Sequence, residues 1–379
     1  MNHTEPLVLF EVRGAGGFIT LNRPRALNAL SLEMIRLLTA QLLAWQAQPQ
    51  IAFVAVRGMG REGPFAAFCA GGDIRFFHQA ALAADPALED FFTEEYALNH
   101  LIHRYPKPYI AFMDGIVMGG GMGLCGHGRD ATLPSGQGAN IRIVTARTRM
   151  AMPETNIGLF PDVGGGYFLS RCPGRIGEWL ALTGEIIGAG AALAFGLADV
   201  CLDVAQLASA WDALASVDFD RPGAIESWIA MYSIAAPAYA TGASVQIDQN
   251  FSRISVSDIV LALEADGGEW AQHTASTLRK RSPLMLHVAL EQIRRARNLS
   301  LADDLRMERD MVHHCFDTRH LARSASESET VEGIRALAVD KDNTPQWDPA
   351  RIEDVTTDMV EPFFRSPWTP RTHPLRKLS

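Results

Sequence analysis

Cysteine is scarce in this chain, and what there is lies scattered. The five cysteines, Cys69, Cys125, Cys172, Cys201 and Cys315, make no Cys-x-x-Cys pair, and an odd total spread over 379 residues builds neither a disulfide framework nor a zinc cluster. A reducing interior, the cytoplasm, is the expected setting, with no metal. Long runs of basic residues are missing too. Lys and Arg total 34 against 43 Asp and Glu, a net charge of -9. That balance argues against a nucleic-acid binder, whose affinity rests on neutralising phosphates, and against anchoring to an anionic membrane. No apolar run reaches the span of a bilayer. Residues Met1 to Val12 carry Glu5 and Glu11 and lack both a basic start before an apolar core and an Arg-rich amphipathic presequence, which fits the cytoplasmic expectation.

What the chain does have is apolar residues, 47% of the total, enough for one large core or two modest ones. Its first part alternates strand, turn and helix signals. Leu7 to Val12 and Phe18 to Leu21 flank a glycine-rich turn and predict a hairpin. Leu30, Met34, Leu37, Leu38, Leu42 and Trp45 recur at helical spacing behind Ser31, a suitable N-cap. Strands are expected at Ile51 to Val56, Tyr109 to Met113, Ile141 to Thr145 and Met150 to Met152, which makes an α/β core over residues 1–203. Pattern alone does not distinguish a flat sheet from a coiled stack. From residue 204 to 379 the signals are mainly helical, with Ser282-Pro283 and Ser300 as helix starts and a Ser/Ala/Glu-rich stretch, Arg319 to Thr330, expected to be a mobile connection.

Three short segments carry chemistry. Cys69-Ala70-Gly71-Gly72-Asp73 and Gly119-Gly120-Gly121-Met122-Gly123 are glycine turns after strand-like runs, where backbone amides can approach a ligand closely; two such amides can form an oxyanion hole. Met152-Pro153-Glu154 is followed eight residues later by Asp162, in Phe160-Pro161-Asp162-Val163-Gly164-Gly165-Gly166. Two carboxylates there can transfer protons or attack an acyl carbon. Singly, each motif has an ordinary structural explanation: a tight backbone crossing for the glycines, a turn former for Asp162. Cys69 reads as a small buried filler and His127 as structural.

Together the segments resemble the crotonase (enoyl-CoA hydratase/isomerase) superfamily, and within it the 3-hydroxyisobutyryl-CoA hydrolases. The resemblance starts at Leu21-Asn22-Arg23-Pro24-Arg25-Ala26-Leu27-Asn28-Ala29-Leu30, takes in Ala181-Leu182-Thr183-Gly184, and returns at Glu332-Gly333-Ile334-Arg335-Ala336 and Asp340-Lys341-Asp342. It implies a spiral of ββα units with a helical C-terminal region, and an acyl-CoA substrate whose thioester carbonyl is held by the amides of Gly72 and Gly120. It implies CoA along Arg25, Ala26 and Leu27, with Arg25 near the phosphates and Ala70 and Asp73 also on the substrate. Hydratases of the superfamily carry glutamates at the positions matching Gly123 and Glu154. Here the first is glycine, and Asp162 stands where hydratases commonly have glycine, as in the hydrolases.

The resemblance therefore implies thioester hydrolysis in valine breakdown, with Glu154 and Asp162 catalytic and Glu95 touching the substrate's 3-hydroxyl. Attack by Glu154 and activation of water by Glu154 both remain open at this level. CoA belongs to the substrate, and no other cofactor is implied. Superfamily members often form trimers, so a homo-oligomer is possible. The arginines at 279, 281, 294, 295 and 297, with Lys280, are read first as a solvated face and second as a CoA-phosphate site. Asp130 to Asn140 reads as an inserted loop.

Overall fold

The computed structural model describes residues 5–128, 140–219, 221–239 and 242–379. The inserted loop lies outside the described residues except for Asn140. In chain order the strands are β1 (Val8–Arg13), β2 (Gly16–Leu21), β3 (Phe53–Gly60), β4 (Gly63–Pro64), β5 (Tyr109–Met113), β6 (Ile116–Met118), β7 (Asn140–Val144), β8 (Arg149–Ala151) and β9 (Val200–Cys201). A long sheet runs β1-β2-β3-β5-β7-β9, with β4 folded back on β3. The hairpin β1–β2 is antiparallel, and from β2 to β9 the neighbours on that path are parallel.

Strands β6 and β8 pair separately, and single bridges at Leu30–Gly72 and Cys69–Val117 add to this second layer. The unit therefore repeats: one strand enters the long sheet, the next enters the short one, and a helical turn follows. The α/β expectation holds, and it is the alternation between two sheets that resolves the choice between a flat sheet and a coiled stack. A parallel strand covered on both faces needs apolar residues at every position, and all five residues of β5 are buried.

The chain forms two compact units that interleave in sequence: residues 1–72, 98–150 and 186–239 make the first, and 73–97, 151–185 and 240–379 the second. The first has an aromatic core under the long sheet, in which Phe18 meets Phe53 at 5.6 Å and Phe112 meets Trp211 at 5.2 Å, both edge to face. The second is built from helices, here labelled α2 (Ile74–Ala83) and α3 (Ala87–His103, up to residue 97), after α1 (Leu32–Gln46) of the first unit. Its two central C-terminal helices begin as the sequence predicts. Ser282 caps Pro283–Ala296 by accepting from the Met285 amide at 3.2 Å, and Ser300 caps Leu301–Phe316 by accepting from the Asp303 amide at 3.1 Å.

The stretch from Arg319 to Thr330 differs from expectation. It folds into short 3-10 turns and enters a helix, Glu329–Ile334, with Ser324 and Glu327 forming a capping box. Glu329 accepts from Ser282 Oγ, and Thr330 Oγ1 donates to the Gly158 carbonyl at 2.6 Å. Serine and glutamate three apart suit a cap as well as a linker, and composition does not separate the two.

The arginine run is partly solvated and also makes ion pairs. Arg279 pairs with Glu264 and Glu353, Arg295 with Glu291 and Glu361, and Arg297 with Glu178. Arg281 donates to the Thr183 carbonyl and to Asn156, and Arg294 to the carbonyls of Arg253 and Ile254. These side chains fasten the second unit's own segments together, while Arg279 and Lys280 stay exposed as on a solvated face.

Candidate active site

In the first unit the two glycine turns are laced to each other. Cys69 donates its amide to the Ile116 carbonyl at 3.0 Å, and Met118 returns a bond to the Cys69 carbonyl at 3.0 Å. The segment after Arg25 joins them: the Ala70 amide donates to the Leu27 carbonyl at 3.0 Å, and the Leu30 amide to the Gly71 carbonyl at 2.8 Å. Glycine is required at two of these positions. A Cβ on Gly121 would lie 2.4 Å from the Cys69 carbonyl oxygen, and Gly71 has φ +103. Among the described residues, the amides of Gly72 and Gly120 donate no backbone hydrogen bond. Arg25 is exposed, on a 3-10 turn, while Ala26 and Leu27 are half-buried beside Ala70. Cys69 is buried, its thiol directed to the Asn28 carbonyl, in keeping with a filler.

The second unit holds the carboxyl groups. Glu154 opens the 3-10 turn Glu154–Ile157, closed by Gly158 at φ +66, where a Cβ would strike the Glu329 carbonyl oxygen at 2.1 Å. Asp162 sits on the turn before the short helix Gly165–Leu169. Glu95 and Tyr96 come from α3. All four side chains are buried: Glu95 is 2% exposed, Tyr96 0%, Glu154 6% and Asp162 5%. The Tyr96 hydroxyl donates to Asp162 Oδ2 at 2.8 Å. By contrast, Glu154 Oε2 and Glu95 Oε1 have no hydrogen-bond partner among the described residues.

Three carboxyl groups in one apolar surround cannot all ionise at neutral pH. Burial raises Glu95, and the charges of Asp162 and Glu154 raise it further. Burial, then the charge of Asp162, pushes Glu154 well above the usual carboxylate range. Asp162 is raised by burial to about 6, with the Tyr96 hydrogen bond opposing the rise. The cluster titrates as a unit, and Asp162 is the member that accepts the Tyr96 hydroxyl.

A second pair of buried carboxyls holds the loop that carries Asp162. Glu308 accepts from the amides of Gly164 and Gly166, and Asp304 from that of Tyr167 at 2.8 Å. Gln292 donates to the Pro161 carbonyl at 2.6 Å and to Glu308 Oε1 at 3.1 Å. The loop needs this support, because Val163 stands at φ +56, a conformation a β-branched residue adopts only under constraint.

The structure thus brings Glu95, Glu154 and Asp162 together in the second unit, and Arg25 to Leu27, Ala70, Gly72 and Gly120 together in the first. Asp73 begins the second unit as the cap of α2, accepting from the Phe76 amide at 3.4 Å. Sequence reading missed Tyr96, Gln292, Asp304 and Glu308. A signal was present: on Leu301–Phe316 the apolar stripe Leu301, Leu305, Val312, Cys315 also includes Asp304 and Glu308, and a carboxylate within a buried stripe has to meet a partner.

The chain belongs to the enoyl-CoA hydratase/isomerase family, whose model matches residues 16–364. It is 38% identical to the mitochondrial 3-hydroxyisobutyryl-CoA hydrolase of Xenopus tropicalis, with 96% of this chain and 91% of that protein covered. Identity to the enzyme of the same name in Mus musculus is also 38%, covering 96% and 90%. Among solved structures, a carnitinyl-CoA dehydratase from Mycobacterium thermoresistibile superposes with a TM-score of 0.84 at 36% identity, covering 97% of this chain and 98% of that one.

The cytoplasmic expectation is corrected by these relatives, which are named mitochondrial. Scattered thiols report redox conditions, not a compartment, and a cellular address is read by receptors from a targeting segment. Among the described residues no helix is long and apolar enough to cross a membrane.

Proposed function

We propose that the chain hydrolyses an acyl-CoA thioester, 3-hydroxyisobutyryl-CoA, to 3-hydroxyisobutyrate and free CoA, with Glu154 as nucleophile. The observation that carries this reading is the buried, unpartnered Glu154 oxygen next to an Asp162 held by the Tyr96 hydroxyl. Asp162 takes the proton of Glu154 as the freed carboxylate attacks the thioester carbon. The amides of Gly72 and Gly120 receive the negative charge that builds on the carbonyl oxygen. The C–S bond then breaks, and the proton held on Asp162 passes to the departing sulfur, giving the CoA thiol and an acyl–Glu154 anhydride. Water, losing a proton to Asp162, attacks the acyl carbon; Glu154 leaves and regains its proton. Glu95, held neutral by its surroundings, is suited to bind the 3-hydroxyl. Arg25, Ala26, Leu27, Ala70 and Asp73 are assigned to the CoA part. The reaction as written needs neither a metal nor a redox cofactor.

The names of the two vertebrate relatives support the substrate. The dehydratase named for the structural neighbour favours a second reading, addition or loss of water at a double bond. Against it stands Gly123, which supplies no side chain where that chemistry places a second glutamate. Free-thiol release from 3-hydroxyisobutyryl-CoA, run beside crotonyl-CoA and acetyl-CoA, separates the two. Thiol release confined to the hydroxyacyl substrate supports hydrolysis; loss of crotonyl absorbance without thiol would replace it with hydration.

A further inference from the structure

Among the described residues, Asp162 is the one of the three clustered carboxyl groups that accepts a side-chain donor, and that donor is a phenol with no exposed surface. Packing alone does not ask for it. The Tyr96 ring lies 6.1 Å from that of Phe92, within a patch that also holds Phe77 and Phe91, and a phenylalanine would fill the same space. A buried hydroxyl without an acceptor is costly, so the O–H has a reason to be there only if its bond to Asp162 matters. A donor to one carboxylate oxygen stabilises the charged form of that group over its neighbours.

We propose that Tyr96 is a positioning residue for the thioester reaction: its hydroxyl fixes Asp162 Oδ2 and makes Asp162, rather than Glu154 or Glu95, the group that is ionised and ready to accept the Glu154 proton. The inference rests on the hydrolase reading above. Asp162 is faced by Glu95 and Tyr96 from α3, by Glu154 from its 3-10 turn, and by Glu308 and Cys315 from Leu301–Phe316. None of these neighbours is a cation, and since Asp162 and Glu154 each have a backbone donor of their own, the hydroxyl is the feature that distinguishes Asp162. Tyr96 itself is held far above the ordinary phenol range by burial and by the charges of Asp162, Glu308 and Glu95, and so remains a donor wherever Asp162 titrates.

The test is the pH dependence of kcat/KM for thiol release in the full chain carrying Tyr96→Phe. The acid limb should move up by about one pH unit, a loss of about fivefold near pH 6 that approaches tenfold below pH 5 and closes above pH 8, with KM little changed. Replacing Tyr96 by 3-fluorotyrosine, a stronger donor of the same shape, should move the limb down. A merely structural Tyr96 lowers kcat equally at every pH and leaves the limb in place, and that result would overturn the proposal. The infrared carboxyl band missing from Asp162→Asn gives the same midpoint without turnover. An upward shift of that midpoint in Tyr96→Phe supports the proposal and an unchanged one refutes it, even if no thiol is released and the hydrolase reading itself fails.

Discussion

Glu308 accepts a hydrogen bond of 2.7 Å from the amide of Gly164, a residue 144 positions earlier in the chain, and its second oxygen takes the amide of Gly166 at 3.0 Å. Through this one carboxyl a C-terminal helix sets the geometry of the loop bearing Asp162. Replacing Glu308 with alanine leaves two buried amides unpaired and frees Val163 from its φ of +56, so a loss of about 2–4 kcal/mol in urea unfolding is expected. Glu308→Gln keeps an acceptor for one of the two amides and should lose about half of that.

Much of the fold was legible because its signals are local. The hairpin at β1–β2, the Ser31, Ser282 and Ser300 caps and the apolar strand Tyr109–Met113 each depend on residues a few positions apart. Glu154 and Asp162 were legible for a similar reason, as a motif within one stretch. Tyr96, Gln292 and Glu308 were not, because their roles come from contacts spanning 66, 131 and 144 residues. The ion pairs of the arginines from 279 to 297 were not legible for the same cause. Charge in sequence looks solvated until the acids that meet it, such as Glu178 and Glu353, are placed beside it.

Asp162→Asn should make the protein more stable and inactive. The folded-state pKa of about 6 lies above the ordinary 3.8, so between those values the folded chain binds more protons than the unfolded chain, and stability falls as pH rises through that window. Asparagine removes this penalty, which amounts to at most about 3 kcal/mol, and still accepts from Tyr96. The variant should therefore exceed the wild type in urea resistance at pH 8 and lose that advantage near pH 4. A gain of equal size at both pH values would contradict this origin.

In the first unit, Gly121→Ala drives a methyl group to 2.4 Å from the Cys69 carbonyl oxygen. Backbone on both sides cannot move without parting the two glycine turns. Thermal unfolding should show a loss of about 1–3 kcal/mol, and thiol release should fall more steeply than stability alone explains.

Glu154→Gln removes the attacking carboxylate while keeping size and burial. Thiol release should drop by about a thousandfold or more, with KM for 3-hydroxyisobutyryl-CoA within a few-fold of wild type. A comparable drop carried by KM instead would make Glu154 a binding residue.

Hydroxylamine trapping during turnover, with peptide mass analysis, tests direct attack by Glu154 most sharply. A hydroxamate on Glu154, formed only while 3-hydroxyisobutyryl-CoA is being consumed and absent from Glu154→Gln, is the expected result. Sustained thiol release with Glu154 unmodified at high hydroxylamine would contradict an acyl–Glu154 anhydride and make the residue the base for an attacking water.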